Sequence, residues 1–348
     1  MSKDLKLAVV GTGIFATDMH LPTINKISNL KAVGCYNRTK AKAETFADKA
    51  GIAKDKIYDS LEEVFQDESI DFVDTLLPVQ YNLDAVKLAV KYNKPMIFEK
   101  PIAANLEQAK EIVKISEQSD LPIGVLENWS FLSSIEKIKK DYLPKIGKVV
   151  SFTYNSTGPW ISDNKYLETT WRQKPQHIGG FLSDGGVHQL ALLTGLLGDV
   201  ESISALTQQL RESSGTDDIL FSTMKLKSGA IGTFSYGSAF GAAEKAQSLI
   251  IYGLEGSIVY NFSKSLPKPK VTLKTGSANP AEFETTEFEL EEVDTMVEEF
   301  KNFSDALIKN DKKLVRVPPA VAFHHLAIVA AALESSAKNG DSVKIEQP

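Results

Sequence analysis

The sequence holds one cysteine, Cys35, among 348 residues, so no disulfide can form within the chain. That excludes a disulfide-stapled scaffold and fits a reducing compartment. Positive charge is not in excess: the net charge of −6 argues against general affinity for nucleic acid or an anionic membrane. The one basic stretch, Lys264–Lys274, reads as a solvated hairpin. No H-E-x-x-H is present, which with a single cysteine leaves little case for zinc or another metal. His324 and His325 are adjacent, and neighbours on a helix do not face each other. No G-x-S-x-G nucleophile elbow, internal repeat or low-complexity segment occurs. The most apolar late run, His324–Glu334, is far shorter than the ~20 residues of a membrane span. "MSKDLK" leads directly into a strand without a signal-peptide apolar region. The expectation is a soluble cytoplasmic protein that binds neither nucleic acid nor membrane.

What is present is a globular composition, 43% hydrophobic and 24% charged, with length enough for two ordinary domains. The first third alternates strand-like runs (Leu7–Val10, Lys31–Tyr36, Phe72–Leu77, Met96–Phe98, Ile123–Val125) with helical patterns. Such alternation implies βαβ units around a parallel sheet. The rhythm changes after about Asn128. A strand at Lys148–Tyr154, a loop rich in Trp, Gly and Pro, and a helix near Gly186–Leu197 follow. Seven closely spaced strand-like runs between Val200 and Leu290 predict a mostly antiparallel open sheet. Two helices, about Val293–Lys309 and Pro319–Lys338, close the chain. The fold class is therefore α/β: a dinucleotide-binding domain over 1–127, then an α+β domain over 128–348 for substrate binding and oligomerisation. The last helix could pack back on the first domain. The sheet has few helices to cover both faces, so an open apolar face predicts a homodimer or higher homo-oligomer.

"GTGIFA" follows the first strand and matches G-x-G-x-x-G/A, with Gly11, Gly13 and Ala16 at the small positions. The first glycine permits a tight turn, the second lets backbone approach a pyrophosphate, and the third small residue lets helix pack on strand. The turn Gly11, Thr12, Gly13, Ile14 and Phe15 would then hold the pyrophosphate at a helix N-terminus. At the end of the second strand an acid would bind the ribose 2′-hydroxyl of NAD. Here Asn37 is neutral and can donate, Arg38 can meet a phosphate bidentately, and Lys42 lies a helical turn on. This combination points to NADP; the plainer alternative makes Arg38, Lys40 and Lys42 solvated residues at a helix start.

Two further stretches could carry chemistry. Glu99, Lys100 and Pro101 end a predicted strand at the sheet edge where ligands bind. A lysine there can stabilise alkoxide character as hydride moves; a surface Glu-Lys pair is the plainer alternative. Pro101 would fix the chain, and a cis Lys100–Pro101 bond would suit the turn. In "DGGVH", Asp184 and His188 are four apart and share a helix face. Histidine exchanges protons near neutral pH, and a carboxylate can fix its tautomer or bind a hydroxyl. Gly179, Gly180, Gly185 and Gly186 would leave room for a ligand. The plainer alternative makes Asp184 a helix cap and His188 a satisfied buried histidine. Trp171 and Arg172 fall in the loop before this helix, where Arg172 could meet a cofactor or substrate oxygen; a structural ion pair is the plainer alternative.

"GTGIFA", "EKP" and "DGGVH", in that order and with "WRQKPQHIGG" before the last, resemble the glucose–fructose oxidoreductase / inositol dehydrogenase / rhizopine-catabolism (Gfo/Idh/MocA) family over essentially the whole chain. The similarity is strongest to a fungal branch that uses NADP. The resemblance implies a Rossmann domain, a C-terminal sheet domain that forms the oligomer interface, and an NADP(H)-dependent oxidoreductase acting on a sugar- or polyol-like substrate. It implies Lys100, Asp184 and His188 as the catalytic trio. It places Leu77, Pro78, Asn82, Glu99, Lys100, Pro101 and Asn128 along the cofactor cleft, with Trp171 and Arg172 near it. Asn82 departs from the pattern, since many members have histidine there. A catalytically silent NADP(H)-binding sensor and a nicotinamide-dependent glycosidase stay open as alternatives.

Overall fold

The computed structural model describes residues 3–161, 175–276 and 282–348. The chain divides into two compact units. The first is Met1–Phe131 with Asp294–Phe323 and Pro348; the second is Leu132–Val293 with His324–Gln347.

The first unit is built on a five-stranded parallel sheet of β1 (Leu5–Val10), β2 (Leu30–Tyr36), β3 (Phe72–Thr75), β4 (Met96–Glu99) and β5 (Ile123–Leu126), in the order β2-β1-β3-β4-β5. Every residue of β3 and β5 is buried. Strands covered on both faces need such continuous runs rather than alternation. Helices fill the crossovers. Those at Leu61–Gln66 and Leu106–Gln118 start where Ser60 and Asn105 side chains accept the backbone N–H three residues on. The strand order reverses at β1, so the crevice for a ligand opens beyond the C-terminal ends of β1 and β3.

The unit boundary differs from the expected break after residue 127. The first unit runs on to Phe131 and takes back Asp294–Phe323. The reason is the helix Thr295–Lys309, whose N-cap is Asp294. Its Phe300, Phe303 and Ala306 are buried in the core that also holds Val9, Phe72 and Ile97. Phe303 meets the Phe72 ring at 5.4 Å. Each buried aromatic of this kind contributes roughly 1.5–3 kcal/mol. Past the helix, the Val317 carbonyl accepts the Val125 N–H at 2.9 Å. Of the last helix, Pro319–Ala337, only 319–323 belongs to this unit.

The second unit is built on a nine-stranded sheet: β6 (Val149–Pro159), β7 (Val200–Gln208), β8 (Ile219–Leu226), β9 (Ile231–Phe240), β10 (Ala246–Gly253), β11 (Gly256–Asn261), β12 (Lys270–Thr275), β13 (Glu284–Glu289) and β14 (Val343–Lys344). Their order is β13-β12-β11-β10-β6-β9-β8-β7-β14. All pairs are antiparallel except β6 with β9. Phe152, Tyr154, Phe234, Leu249, Ile251, Ile258, Tyr260 and Val271 alternate onto the buried face. The helix Phe181–Leu197 packs there, and the buried Tyr154 hydroxyl donates to Gln189 Oε1 at 2.8 Å. The opposite face is less apolar than expected. Exposed Leu206, Phe221, Ile231 and Tyr252 are scattered among Ser151, Thr153, Asn155, Thr157, Thr233 and Ser235.

The late apolar segment is longer than its sequence run suggests. The stretch Lys312–Ala337 passes for a membrane span by length and composition, with a mean hydropathy of 1.5, but 67% of that window is buried inside the protein. Burial of that extent is what a core helix needs. Its two histidines have structural partners: His324 Nε2 accepts the Val200 N–H at 3.1 Å, and His325 Nε2 lies 3.0 Å from Thr194 Oγ1. Burial holds His324 below its ordinary value of 6.5, with Asp199 opposing the shift. The unfolded chain protonates this residue below pH 6.5, whereas the folded chain must keep it neutral to accept from Val200. Its contribution to stability is therefore complete above that pH and is lost as pH falls further. Chemical denaturation of His324→Gln should show a shallower loss of stability between about pH 7 and pH 5 than the wild type. Identical slopes would exclude His324 as a source of acid sensitivity.

Candidate functional site

In the first unit the glycine turn leaves β1 with Gly11 at φ +86°. The Gly11 N–H donates to the Tyr36 carbonyl and the Gly13 N–H to the Gly11 carbonyl, at 2.9 and 2.8 Å. A Cβ on residue 11 would lie 2.3 Å from the Leu76 carbonyl oxygen. A Cβ on Gly13 would meet nothing within 4 Å, and Ala16 is fully buried. Three small residues thus serve three needs: a left-handed turn, an open cradle, and close helix packing. Ile14 and Phe15 stay 55% and 38% exposed, apolar surface that a bound dinucleotide would cover. Thr12 is buried with no partner for Oγ1. The helix opens with a π-helical turn, Ala16–His20, before Leu21–Lys26. Pyrophosphate chemistry fits this open cradle at a helix N-terminus.

At the end of β2 the Asn37 side-chain oxygen accepts the Thr39 N–H at 2.9 Å. That use fixes the amide so that its remaining polar group, the NH₂, can only donate. Lys40 pairs with Asp59 at 2.8 Å. Arg38 and Lys42 are exposed and have no ion pair among the described residues. Beyond β3, Leu77 is partly buried and Pro78 exposed.

At the end of β4 the Lys100–Pro101 peptide is cis. Lys100 is partly buried and Pro101 buried. Asn82 has a different place from the cofactor-lining one implied by resemblance. It is 1% exposed, and its amide donates to the Pro101 and Ile102 carbonyls at 3.3 and 3.2 Å. It supports the turn from behind. The Asn128 amide is likewise engaged, donating to Thr295 Oγ1 at 3.0 Å. Glu99 is 19% exposed and turns inward, 3.0 Å from His20 Nε2. His20 Nδ1 lies 2.7 Å from Asp74 Oδ2, with both side chains fully buried. Sequence reasoning missed His20 and Asp74. Their signal was a polar residue inside an apolar run, "DMHLP" and "FVDTLL".

In the second unit the helix bearing Asp184 and His188 starts earlier than expected, at Phe181, with Gly180 as N-cap. Asp184 is therefore inside the helix, and the capping alternative for it falls. Asp184 and His188 share one face, and both are partly exposed. The room expected beside the glycines is occupied by the protein itself. A Cβ on Gly185 would lie 2.0 Å from the Tyr236 hydroxyl, and one on Gly186 would be 3.6 Å from its ring. Beside Gly179 lies Val329, and beside Gly180 lie Thr216 and Pro175. Tyr236 stacks on Phe181 at 5.8 Å. Burial, and after it the Asp184 carboxylate, push the Tyr236 hydroxyl well above its ordinary pKa. Trp171 and Arg172 lie outside the described residues.

A glycine turn on a parallel sheet, joined to a mostly antiparallel sheet domain, defines a two-domain oxidoreductase with a nicotinamide-dinucleotide-binding Rossmann fold. Residues 5–126 match the model described as oxidoreductase family, NAD-binding Rossmann fold. Residues 140–345 match the oxidoreductase family's C-terminal alpha/beta domain. The chain belongs to the Gfo/Idh/MocA family. An uncharacterised protein of Saccharomyces cerevisiae is 54% identical over 99% of both chains. A D-apiose dehydrogenase of Rhizobium rhizogenes is 28% identical over 73% of each. The crystal structure of an oxidoreductase from Thermotoga maritima superposes with a TM-score of 0.85 at 29% identity, covering 99% of both chains.

The two glycines of the turn should separate on mutation. Gly11→Ala meets the Leu76 carbonyl at a strained φ and should lose about 1–3 kcal/mol of stability or more. Gly13→Ala should melt near the wild-type temperature yet bind dinucleotide at least about tenfold more weakly, since its methyl enters the open cradle. Thermal melts and cofactor titrations on both variants check this; a Gly13→Ala chain of normal affinity would place the pyrophosphate elsewhere.

Proposed function

We propose that the protein is an NADP(H)-dependent oxidoreductase that interconverts a hydroxyl and a carbonyl on a small sugar- or polyol-like molecule. The observation that carries the cofactor choice is the Asn37 amide. Its oxygen is oriented by the Thr39 N–H, which leaves the NH₂ free to donate to a 2′-phosphate, and exposed Arg38 and Lys42 lie beside it. A carboxylate at 37 in the same turn would keep a second acceptor for a ribose hydroxyl; the amide suits a phosphate. The substrate class is supported by the similarity to a D-apiose dehydrogenase.

The nicotinamide, when bound, supplies or takes up the hydride. The rest falls to the chain's own residues. Gly11, Thr12 and Gly13 would hold the pyrophosphate, and Asn37, Arg38 and Lys42 the adenosine 2′-phosphate. Lys100 would hydrogen-bond the reacting oxygen and stabilise its negative charge. His188 would take the hydroxyl proton in oxidation and return it in reduction. Asp184 would accept a hydrogen bond from a second hydroxyl and so orient the substrate.

Arg38→Ala should weaken NADP by about tenfold to a hundredfold, the worth of one charged hydrogen bond, while NAD changes little. Asn37→Asp should go further, adding repulsion toward the phosphate. Calorimetric titration of both cofactors at one fixed salt concentration tests this. Equal wild-type affinities would refute the NADP assignment.

Lys100→Ala and His188→Ala should keep NADP affinity and lose about 10²–10⁴-fold in turnover. The assay is NADP⁺ reduction or NADPH oxidation with a panel of sugars, polyols and their carbonyl partners. Wild-type turnover by either folded, NADP-saturated variant would remove that residue from the chemistry.

A further inference from the structure

Three acidic residues stand at neighbouring strand ends of the first unit: Asp74 in β3, Glu99 closing β4, and Glu127 one residue past β5. Glu299 approaches them from the helix Thr295–Lys309, and His20 stands among them. Asp74, Glu127 and Glu299 are buried, at 0%, 1% and 4% exposure. Burying carboxylates together is costly, by several kcal/mol for each ion left uncompensated. Two of them are met by one ring, with Nδ1 on Asp74 and Nε2 on Glu99. A neutral imidazole has a single N–H and could serve only one ionised carboxylate; serving both requires a donor at each nitrogen. Phe15 and Phe300 meet the imidazole edge-on at 5.3 and 5.4 Å.

Glu99 leads directly into Lys100. On the far side of Lys100, Asn82 holds the Pro101 and Ile102 carbonyls. The turn is thus pinned at both ends, and Lys100 is the residue between the pins. We infer that His20 is a positioning residue for Lys100: by holding the Glu99 carboxylate against Asp74, its ring fixes the direction in which the chain leaves β4. The inference rests on the role assigned to Lys100 above.

Two tendencies oppose each other in the cluster: burial raises the Asp74 pKa, and the neighbouring His20 offsets this only in part. Burial alone would lower the His20 pKa, but Asp74 and Glu99 outweigh it and raise it to about 10. Glu299 is pushed well above the carboxylate range by burial and then by Glu99, so its charged form is disfavoured beside the cluster. The ionisable groups facing His20 are Asp74, Glu99, Glu299 and, beyond them, Glu127.

The test uses His20→Gln, which keeps a donor but lacks the charge and the second ring N–H. Hydrogen exchange of peptides covering residues 99–104 needs no substrate and reads the turn directly. In the NADP-loaded variant these amides should exchange at least about tenfold faster, with NADP affinity within about threefold of wild type. Turnover should fall by about tenfold to a hundredfold. The melting temperature should fall too, because Asp74 is left without its cation. Adding Asp74→Asn removes that charge and should restore the melting temperature, but not the slow exchange, since Glu99 is still unheld. Should His20→Gln not fold, Glu99→Gln cuts the same link from the other end and should loosen the same turn. Wild-type exchange in these variants, or recovery of exchange together with melting temperature in the double variant, would overturn the inference. Wild-type turnover in Lys100→Ala would instead sink the catalytic reading and leave the exchange result to stand. Wild-type turnover in His20→Gln, with Lys100→Ala inactive, would refute the inference alone.

Discussion

The carbonyl of Leu76 lies where a side chain on residue 11 would begin. Much of the first unit follows from that contact. It brings the end of β1 against the end of β3, at the place where the strand order reverses. It demands a residue that accepts positive φ, and the turn so formed releases the chain into a helix whose N-terminus faces the crevice. The same helix then delivers His20 to the ends of β3 and β4. One tight backbone approach therefore sets both the cradle beside Gly13 and the buried cluster behind Lys100.

The second unit reaches a comparable precision by other means. Its glycine pair does not serve a ligand's need for space; it lets the Tyr236 ring lie against the first turns of the Phe181–Leu197 helix. An aromatic ring on a rigid sheet is a firmer support than a loop would be. The face that carries Asp184 and His188 is thereby fixed in rotation about the helix axis. The Asp184 carboxylate in turn acts on this ring, helping to raise the pKa of the Tyr236 hydroxyl.

Much of this was legible in the sequence, where the information is local. The apolar runs of the parallel strands and the glycine turn need only short windows, and both fall where expected. So do the two closing helices, Thr295–Lys309 and Pro319–Ala337. What escaped depends on partners far along the chain. His20 and Asp74 are separated by 54 residues, and His20 and Glu99 by 79. The apolar stripe of Phe300 and Phe303 announces that its helix is buried, but not against which sheet, so its return to the first unit was not legible. The glycines near Asp184 announced space without saying what fills it. Asn82 could be read only as polar and near the cleft; its burial against two carbonyls is a property of the fold.

The nine-stranded sheet also carries the means of its own termination. One border strand, β14, is two residues long and offers few backbone groups for pairing. The other, β13, is longer, but Glu284, Glu287 and Glu289 are exposed along it. Two such borders approaching each other in a concentrated solution would bring rows of like charge together before any backbone bond could form. Sheets of this width with bare borders are prone to stack edge on edge into fibres. Here a two-residue strand at one border and an acidic margin at the other leave little edge open to such pairing.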